Sequence, residues 1–224
     1  FKDYLLNQGV NESKIIFYPY YAESFYKVVN ENTKIKSQFG KGLKIVFAGN
    51  IGVAQSFDTI FDAAKILATK LEDFKFIIIG DGRDRKRIQK KIADNSLDNY
   101  FKFLGSYPPE EMPTFFASAD ALLVSLKDTK IFSMTIPGKL QSYLACGKPI
   151  IASLNGIGAK LVDESNSGFT SRAEDPESLA ASILKFNKLS SAQKKELGNN
   201  ARLYYKKEFE RSRLIKRLID IFAK

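Results

Sequence analysis

The sequence contains no histidine and only one cysteine, Cys146. Without histidine this chain offers no Ser–His–Asp or Cys–His nucleophile, no histidine general base and no zinc site built on an imidazole. One cysteine excludes an intrachain disulfide and fits a reducing compartment. No apolar run reaches the roughly 18 residues that a membrane-spanning helix needs. The opening residues, FKDYLLNQGV, lack the apolar centre and small-residue cleavage site of a secretory signal. The expectation is a cytoplasmic chain that does not cross a bilayer.

What is present is a globular composition with a basic excess. At 224 residues and 44% hydrophobic, the chain can bury one good-sized core. Its net charge of +10 is unevenly spread. One basic cluster holds Arg83, Arg85, Lys86, Arg87, Lys90 and Lys91, and another runs from Lys194 to Arg217. Such clusters attract phosphates, nucleic acid or anionic membrane, and they also occur as solvated helix faces. Aromatic residues do not interleave with them in a nucleic-acid motif, which ranks nucleic acid below phosphate-bearing small molecules and the membrane surface.

Short apolar runs alternate with amphipathic stretches. Leu43 to Ala48, Phe74 to Ile79, Tyr100 to Leu104, Ala121 to Ser125, Pro149 to Ser153 and Gly168 to Ser171 read as strands. Between them Ser56 to Leu71, the charged stretch after Gly82, Glu110 to Ser118 and Gly138 to Ala145 read as helices. This alternation predicts an α/β fold, a doubly wound, Rossmann-like parallel sheet covered on both faces. Residues 1–28 hold a short helix ending near Gly9 and a strand, KIIFYPY, and read as the tail of a preceding domain. Residues 29–42 are polar and read as a linker, 43–190 as the main domain, and 191–224 as one or two long basic helices.

In an open α/β sheet the binding crevice lies at the carboxyl ends of the strands, near the switch in strand order. Four loops fall there. Gly49-Asn50-Ile51-Gly52 lets backbone N–H groups approach a phosphate, or is an ordinary tight turn. Gly80-Asp81-Gly82-Arg83 carries an acidic residue where a dinucleotide site holds ribose hydroxyls, but the first loop lacks the full G-x-G-x-x-G pattern. Arg83 either meets a phosphate or decorates the first helical turn. At Phe103-Leu104-Gly105-Ser106, backbone can read a base edge while Gly105 permits close approach. In the fourth loop Pro137-Gly138 opens a helix whose first residues include Lys139, so that free N–H groups, the helix dipole and an ammonium converge as a diphosphate requires.

Taken together, FAGNIG, FIIIGDG, FKFLGSYPPEEMPTFFASADALLVS and PGKLQSYLACGKPIIAS resemble the carboxy-terminal domain of retaining glycosyltransferases of the two-Rossmann-domain (GT-B) architecture. The likeness is to family 4, which includes bacterial O-antigen and capsule enzymes, and it covers residues 43–210. The stretch KIIFYPYYAESFYK occupies that family's interdomain position, and the family's last helix crosses back towards the amino-terminal domain.

The resemblance implies that Gly49 to Gly52 (Gly49, Asn50 and Gly52 foremost) and Gly80 with Arg83 face the donor's phosphates and sugar. It places Leu104 and Gly105 against the nucleobase. Thr135, Ile136, Pro137, Gly138 and Lys139 would wrap the diphosphate and sugar, with Tyr143-Leu144 beneath the nucleotide. Two departures stand out. The family's Glu-x7-Glu pair falls on Met134 and Ser142, leaving Ser142 one hydrogen bond to offer in place of a carboxylate. The family's first-loop Arg and Lys fall on Asn50 and Gln55, which leaves Lys139 as the cation near the phosphates. Some members resembling O-antigen amino-sugar transferases share the K-x-Q-S-Y form.

The implied function is donor binding in sugar transfer from a nucleoside diphosphate sugar, UDP ahead of GDP, with retention, no cofactor and no metal. The acceptor site and catalytic residues would lie in the amino-terminal domain. A lipid-diphosphate acceptor at an anionic membrane surface is expected, with a peripheral position on its cytoplasmic face; nucleic acid is not. Three other readings stay open: a sugar-nucleotide epimerase of the same fold, an NAD-binding dehydrogenase domain and a non-catalytic module.

Overall fold

The computed structural model describes residues 1–223, so Lys224, the last residue of the expected carboxy-terminal stretch, lies outside the described residues. The chain opens with α1 (Lys2–Asn7) and α2 (Thr33–Phe39), and then alternates β1 (Leu43–Ala48), α3 (Phe57–Ala68), β2 (Phe74–Ile79), α4 (Arg85–Asp94) and β3 (Phe101–Gly105). It continues through α5 (Met112–Ala117), β4 (Ala121–Ser125), α6 (Lys130–Ser133), α7 (Gly138–Ala145), β5 (Ile150–Ser153), α8 (Ile157–Glu164) and β6 (Gly168–Ser171). Three helices close it: α9 (Pro176–Asn187), α10 (Ser191–Glu208) and α11 (Arg211–Phe222).

The six strands form one parallel sheet in the order β3-β2-β1-β4-β5-β6. This is the doubly wound arrangement expected, and its order reverses between β1 and β4. Strand alternation sorts the core into two layers. Ile45, Phe47, Phe76, Ile78, Ala121, Leu123 and Ile151 point into a layer closed by α3, α4 and α9. Val46, Ala48, Ile77, Ile79, Leu122, Val124 and Ala152 point the other way, under α5, α7, α8 and α10. Both faces are covered, which is why the strands read as continuous apolar runs.

Outside the sheet the structure departs from the sequence reading. KIIFYPY is not a strand: a 3₁₀ turn at Glu12–Lys14 is followed by chain that joins no ladder. The stretch expected as a linker holds α2. The Asn32 side chain caps it by accepting from the Lys34 and Ile35 N–H groups, and Phe39 at its end is fully buried and stacks against Phe115. A polar composition concealed one i, i+4 apolar pair, Ile35 and Phe39, sufficient to seat a two-turn helix. The helix expected over Glu110 to Ser118 starts later, at Met112, after a 3₁₀ turn at Pro109–Glu111. Helices α6, α8 and α9 form in stretches for which the sequence pattern predicts no element.

Helix α10 belongs to the sheet's own core. A capping box between Ser190 and Gln193 starts it. Ala201 and Tyr205 are buried against α7, and Arg202 Nη1 donates to the Ala145 carbonyl at 2.6 Å. Helix α11 buries only Leu214 and leaves Ile215, Ile219 and Phe222 exposed.

Candidate functional site: a cleft at the sheet's switch point

The β1–β4 ladder stops early. Its paired residues are Ile45–Ala121 and Val46–Leu122, and beyond them the two strands part. The Tyr143 hydroxyl fills the gap, accepting from the Ala48 N–H at 3.1 Å and donating to the Leu123 carbonyl at 3.5 Å. A phenol thus supplies the hydrogen bonds that a continued ladder would have made, and fixes the width of the opening. Burial pushes its pKa up, so it stays a neutral donor. Above it lies a cleft of about 510 Å³, the size of a small-ligand pocket.

The rims of this cleft are laced together through backbone. The Gly49 N–H donates to Ile79 O at 2.8 Å, Gly80 N–H to Gly105 O at 2.7 Å and Ile51 N–H to Asp81 O at 2.8 Å. Such close approach excludes side chains: a Cβ on Gly80 would stand 2.0 Å from the Gly49 carbonyl oxygen, and one on Gly82 2.2 Å from that of Ile51. These two glycines are explained by loop packing. Gly138 differs, because a Cβ there would meet nothing within 4 Å.

Lys139 is the cation of the site. From α7 it crosses over the end of β1, and its Nζ lies 3.7 Å from the centroid of the Phe47 ring, in the opposite core layer. Its Cε passes so near Gly49 that a Cβ there would approach to 2.8 Å. It makes no ion pair or hydrogen bond among the described residues. Burial lowers its pKa to about 7. Beside it, α7 begins at Gly138 with no side-chain cap; the Leu140 N–H turns back to the Pro137 carbonyl at 2.9 Å, and those of Gly138 and Lys139 are left for a ligand.

Of the residues singled out from the sequence, Gly49, Asn50, Gly80, Gly138, Lys139 and Ser142 line the cleft. Leu104 and Gly105 sit just before its lining residues Ser106 and Tyr107. Gly52, Thr135, Ile136 and Pro137 stand outside the lining, and Arg83 is exposed at a neighbouring depression with Arg85 and Lys86. Gln55, at the position of a family cation, accepts from the Gly52 N–H at 3.2 Å and so stiffens the first loop. The Asp81 carboxylate accepts from its neighbour Gly82 N–H and pairs with Arg85.

Tyr26, Tyr107, Met112 and Phe116 also line the cleft, marked by no local pattern in the sequence, with Tyr26 stacked on Phe116 at 6.3 Å and Tyr107 packed on Phe115 at 4.6 Å. Only the fold brings Tyr26 there, from a segment 22 residues before Ala48, the nearest strand residue of the cleft. Much of the first basic cluster proves structural. Arg87 bridges Asp58 and Asp84, Lys91 pairs with Asp58, and Lys90 pairs with Asp94.

The strand order of this parallel sheet reverses at the cleft, where Lys139 and the uncapped start of α7 stand together. Residues 29–204 match the family of group 1 glycosyl transferases, and the chain belongs to that family. It is 28% identical over its whole length to an uncharacterized glycosyltransferase of Methanocaldococcus jannaschii, covering 56% of that protein. It is 27% identical over 70% of its length to the amylovoran biosynthesis glycosyltransferase AmsK of Erwinia amylovora, covering 39% of it. The chain therefore spans about half the length of these relatives. Among solved structures, it superposes on the HepE protein of Anabaena in complex with UDP and glucose (TM-score 0.76, 19% identity, all of this chain and 60% of that one). It also superposes on a glycosyltransferase from Rickettsia africae (TM-score 0.80, 18% identity, 99% of this chain and 60% of that one). The fold expected from the sequence, one domain of a larger architecture, is the fold these structures share.

Proposed function

We propose that this chain is the donor-binding half of an enzyme that transfers a sugar from a nucleoside diphosphate sugar, UDP-linked, to a polysaccharide or lipid-linked acceptor with retention. The observation that carries this reading is Lys139, unpaired and part-buried beside the uncapped start of α7. An isolated cation in such a place is costly unless an anion meets it. A diphosphate leaving group develops charge as the sugar departs, and an ammonium with helix N–H groups stabilises that charge without rearrangement. UDP, with glucose or as UDP-glucose, occupies the HepE structures whose fold this chain shares, which favours UDP as the base-bearing ligand.

The acceptor site and the catalytic groups belong, in this reading, to the remaining half of the polypeptide. Donor binding requires no metal, so it persists in the presence of a chelator. Family membership favours transfer over the epimerase, dehydrogenase and non-catalytic readings. Titration calorimetry with UDP, GDP and NAD, each with EDTA, tests the reading. Saturable UDP binding that is lost in Lys139→Ala supports it. Binding of NAD alone, or of none of the three by folded protein, overturns it.

The proposal includes a peripheral location, which helix α11 supports. Its basic residues Arg211, Arg213, Lys216 and Arg217 flank exposed Ile215, Ile219 and Phe222, a pattern that suits the cytoplasmic face of an anionic membrane.

A further inference from the structure

At the amino ends of β4 and β5, opposite the edge that holds the cleft, the structure has a second cavity of about 320 Å³. It forms where the segment carrying Val28 and Val29, the end of α5, the turn after α7 and the first turns of α10 meet. Helix α7 spans eight residues, so about 12 Å of helix separates this cavity from Lys139. Lys148 from the turn after α7 and Lys194 and Lys195 from the start of α10 all line it. Lys148 is part-buried, and burial lowers its pKa. Its Nζ donates to the carbonyl of Ala117, the last residue of α5, at 3.1 Å, which uses one of the three protons of the ammonium. None of these lysines forms an ion pair among the described residues. Lys194 has the Phe186 ring instead, 4.9 Å from its Nζ.

The carboxylates nearby are already engaged. Asp120, which also lines the cavity, accepts from the Lys44 N–H at 2.7 Å and pairs with the Lys44 ammonium at 3.9 Å. Glu31 pairs with Lys36 at 2.8 Å. The lysines are held in place by close packing: a Cβ on Gly198 of α10 would stand 2.4 Å from the Gly147 carbonyl oxygen, so α10 and the turn bearing Lys148 cannot drift apart without breaking that contact. Capping the end of α5 accounts for one hydrogen bond of Lys148, but not for the two further lysines that α10 sets beside it. Like charges gathered around one cavity disfavour each other, and a part-buried cation is stabilised by an anion that meets it. We infer that Lys148, Lys194 and Lys195 form a second anion site, distinct from the cleft at Lys139, that takes a phosphoryl group. Such a group carries at least three strong acceptor oxygens on one centre and can meet ammonium donors arriving from two elements at once. Its source is a soluble phosphate or the headgroup of an anionic lipid, and the experiment separates the two. The site stands independently of the donor-binding reading.

The experiment is titration of the isotope-labelled chain with inorganic phosphate, followed by its amide resonances, against sodium chloride at equal ionic strength. Saturable shifts at Gly147, Lys148 and Gly198 are expected with phosphate and not with chloride. Lys148→Met is expected to weaken phosphate by about tenfold, the worth of one charge-assisted hydrogen bond. Should that variant lose its contact with α5 and unfold, Lys194→Ala combined with Lys195→Ala removes the two outer charges, leaves the α10 contacts of Gly198 intact and is expected to weaken phosphate at least as much. Lys139→Ala leaves the shifts unchanged. Shifts that chloride reproduces, that do not saturate, that survive the lysine substitutions in folded protein or that vanish in Lys139→Ala overturn the inference. Sedimentation with phosphatidylglycerol and with phosphatidylcholine vesicles then identifies the source. If a lipid headgroup is the ligand, the Lys194→Ala, Lys195→Ala variant loses most of its preference for the anionic vesicles although α11 is untouched. If a soluble phosphate is the ligand, vesicle binding stays as it was and only the phosphate shifts disappear.

Discussion

The ammonium of Lys139 rests 3.7 Å above the centre of the Phe47 ring, reaching it across Gly49 from the other side of the sheet. The ring face offers a weak electrostatic partner in place of a carboxylate. That leaves the cation positioned yet not neutralised, and ready for a ligand anion. Loss of this one group removes a charge-assisted contact worth about 1.5–3 kcal/mol. Lys139→Ala is therefore expected to weaken UDP binding by about tenfold or more. Lys90→Ala, which breaks an exposed pair with Asp94 on α4, stays within about twofold. Calorimetry on both variants checks the order.

Donor binding is expected to take up a proton above pH 7. Burial holds the Lys139 pKa near 7 in the free chain, and a bound diphosphate raises it again. UDP-glucose has no phosphate group that titrates near neutrality, so uptake measured with it reports on the protein. At pH 8 the binding enthalpy should vary with the ionisation heat of the buffer, and at pH 6 much less so. Affinity falls as pH rises through 7. The same shift affects stability with the opposite sense: between pH 7 and about 10.5 the unfolded chain binds the extra proton, so this group adds stability as pH rises. Lys139→Ala removes both dependences.

Two glycines separate folding from binding. In Gly80→Ala the new methyl collides with the Gly49 carbonyl at a φ of +133°, and a loss of about 1–3 kcal/mol is expected from the strain. Gly138→Ala meets open space at the start of α7, so denaturant midpoints should be unchanged or slightly higher. Its UDP affinity should nevertheless fall, because that space is where the proposed donor would lie.

Asp58 ties α4 to α3. Hydrogen bonds from Arg87 and then Lys91 hold its carboxyl pKa down at about 2, below the ordinary 3.8. A depressed carboxylate contributes stability above its unfolded pKa and loses it as pH falls through the folded one. Asp58 is half exposed, so the gain at neutral pH is below about 1 kcal/mol. Asp58→Asn should lower the denaturant midpoint at pH 5 and match the unmodified chain at pH 2.

The basic face of α11 predicts sedimentation with vesicles containing anionic lipid and much less with neutral ones, the difference shrinking in high salt. Equal binding to both vesicle types would remove the membrane from the proposed partners.

The sequence by itself determined the sheet. Short runs such as LKIVFA and FKFIII, buried on both faces, carry their burial in composition alone, so β1, β2, β4 and β5 could be read without contacts. The Pro137-Gly138-Lys139 helix start was legible for a similar reason, since capping and dipole effects are local. Tertiary structure alone decided which side chains share the cleft. Tyr26 lies in a segment with no ladder to reveal it, and α2 hid its single apolar pair among polar residues. Whether Arg87 is a ligand or a strut depends on Asp58, 29 residues away in the chain. The passage of Lys139 across Gly49 to Phe47 is likewise a matter of packing between two layers. Periodicity and local chemistry act over one or two turns of chain, whereas a binding site is assembled by side chains whose only connection is the core between them.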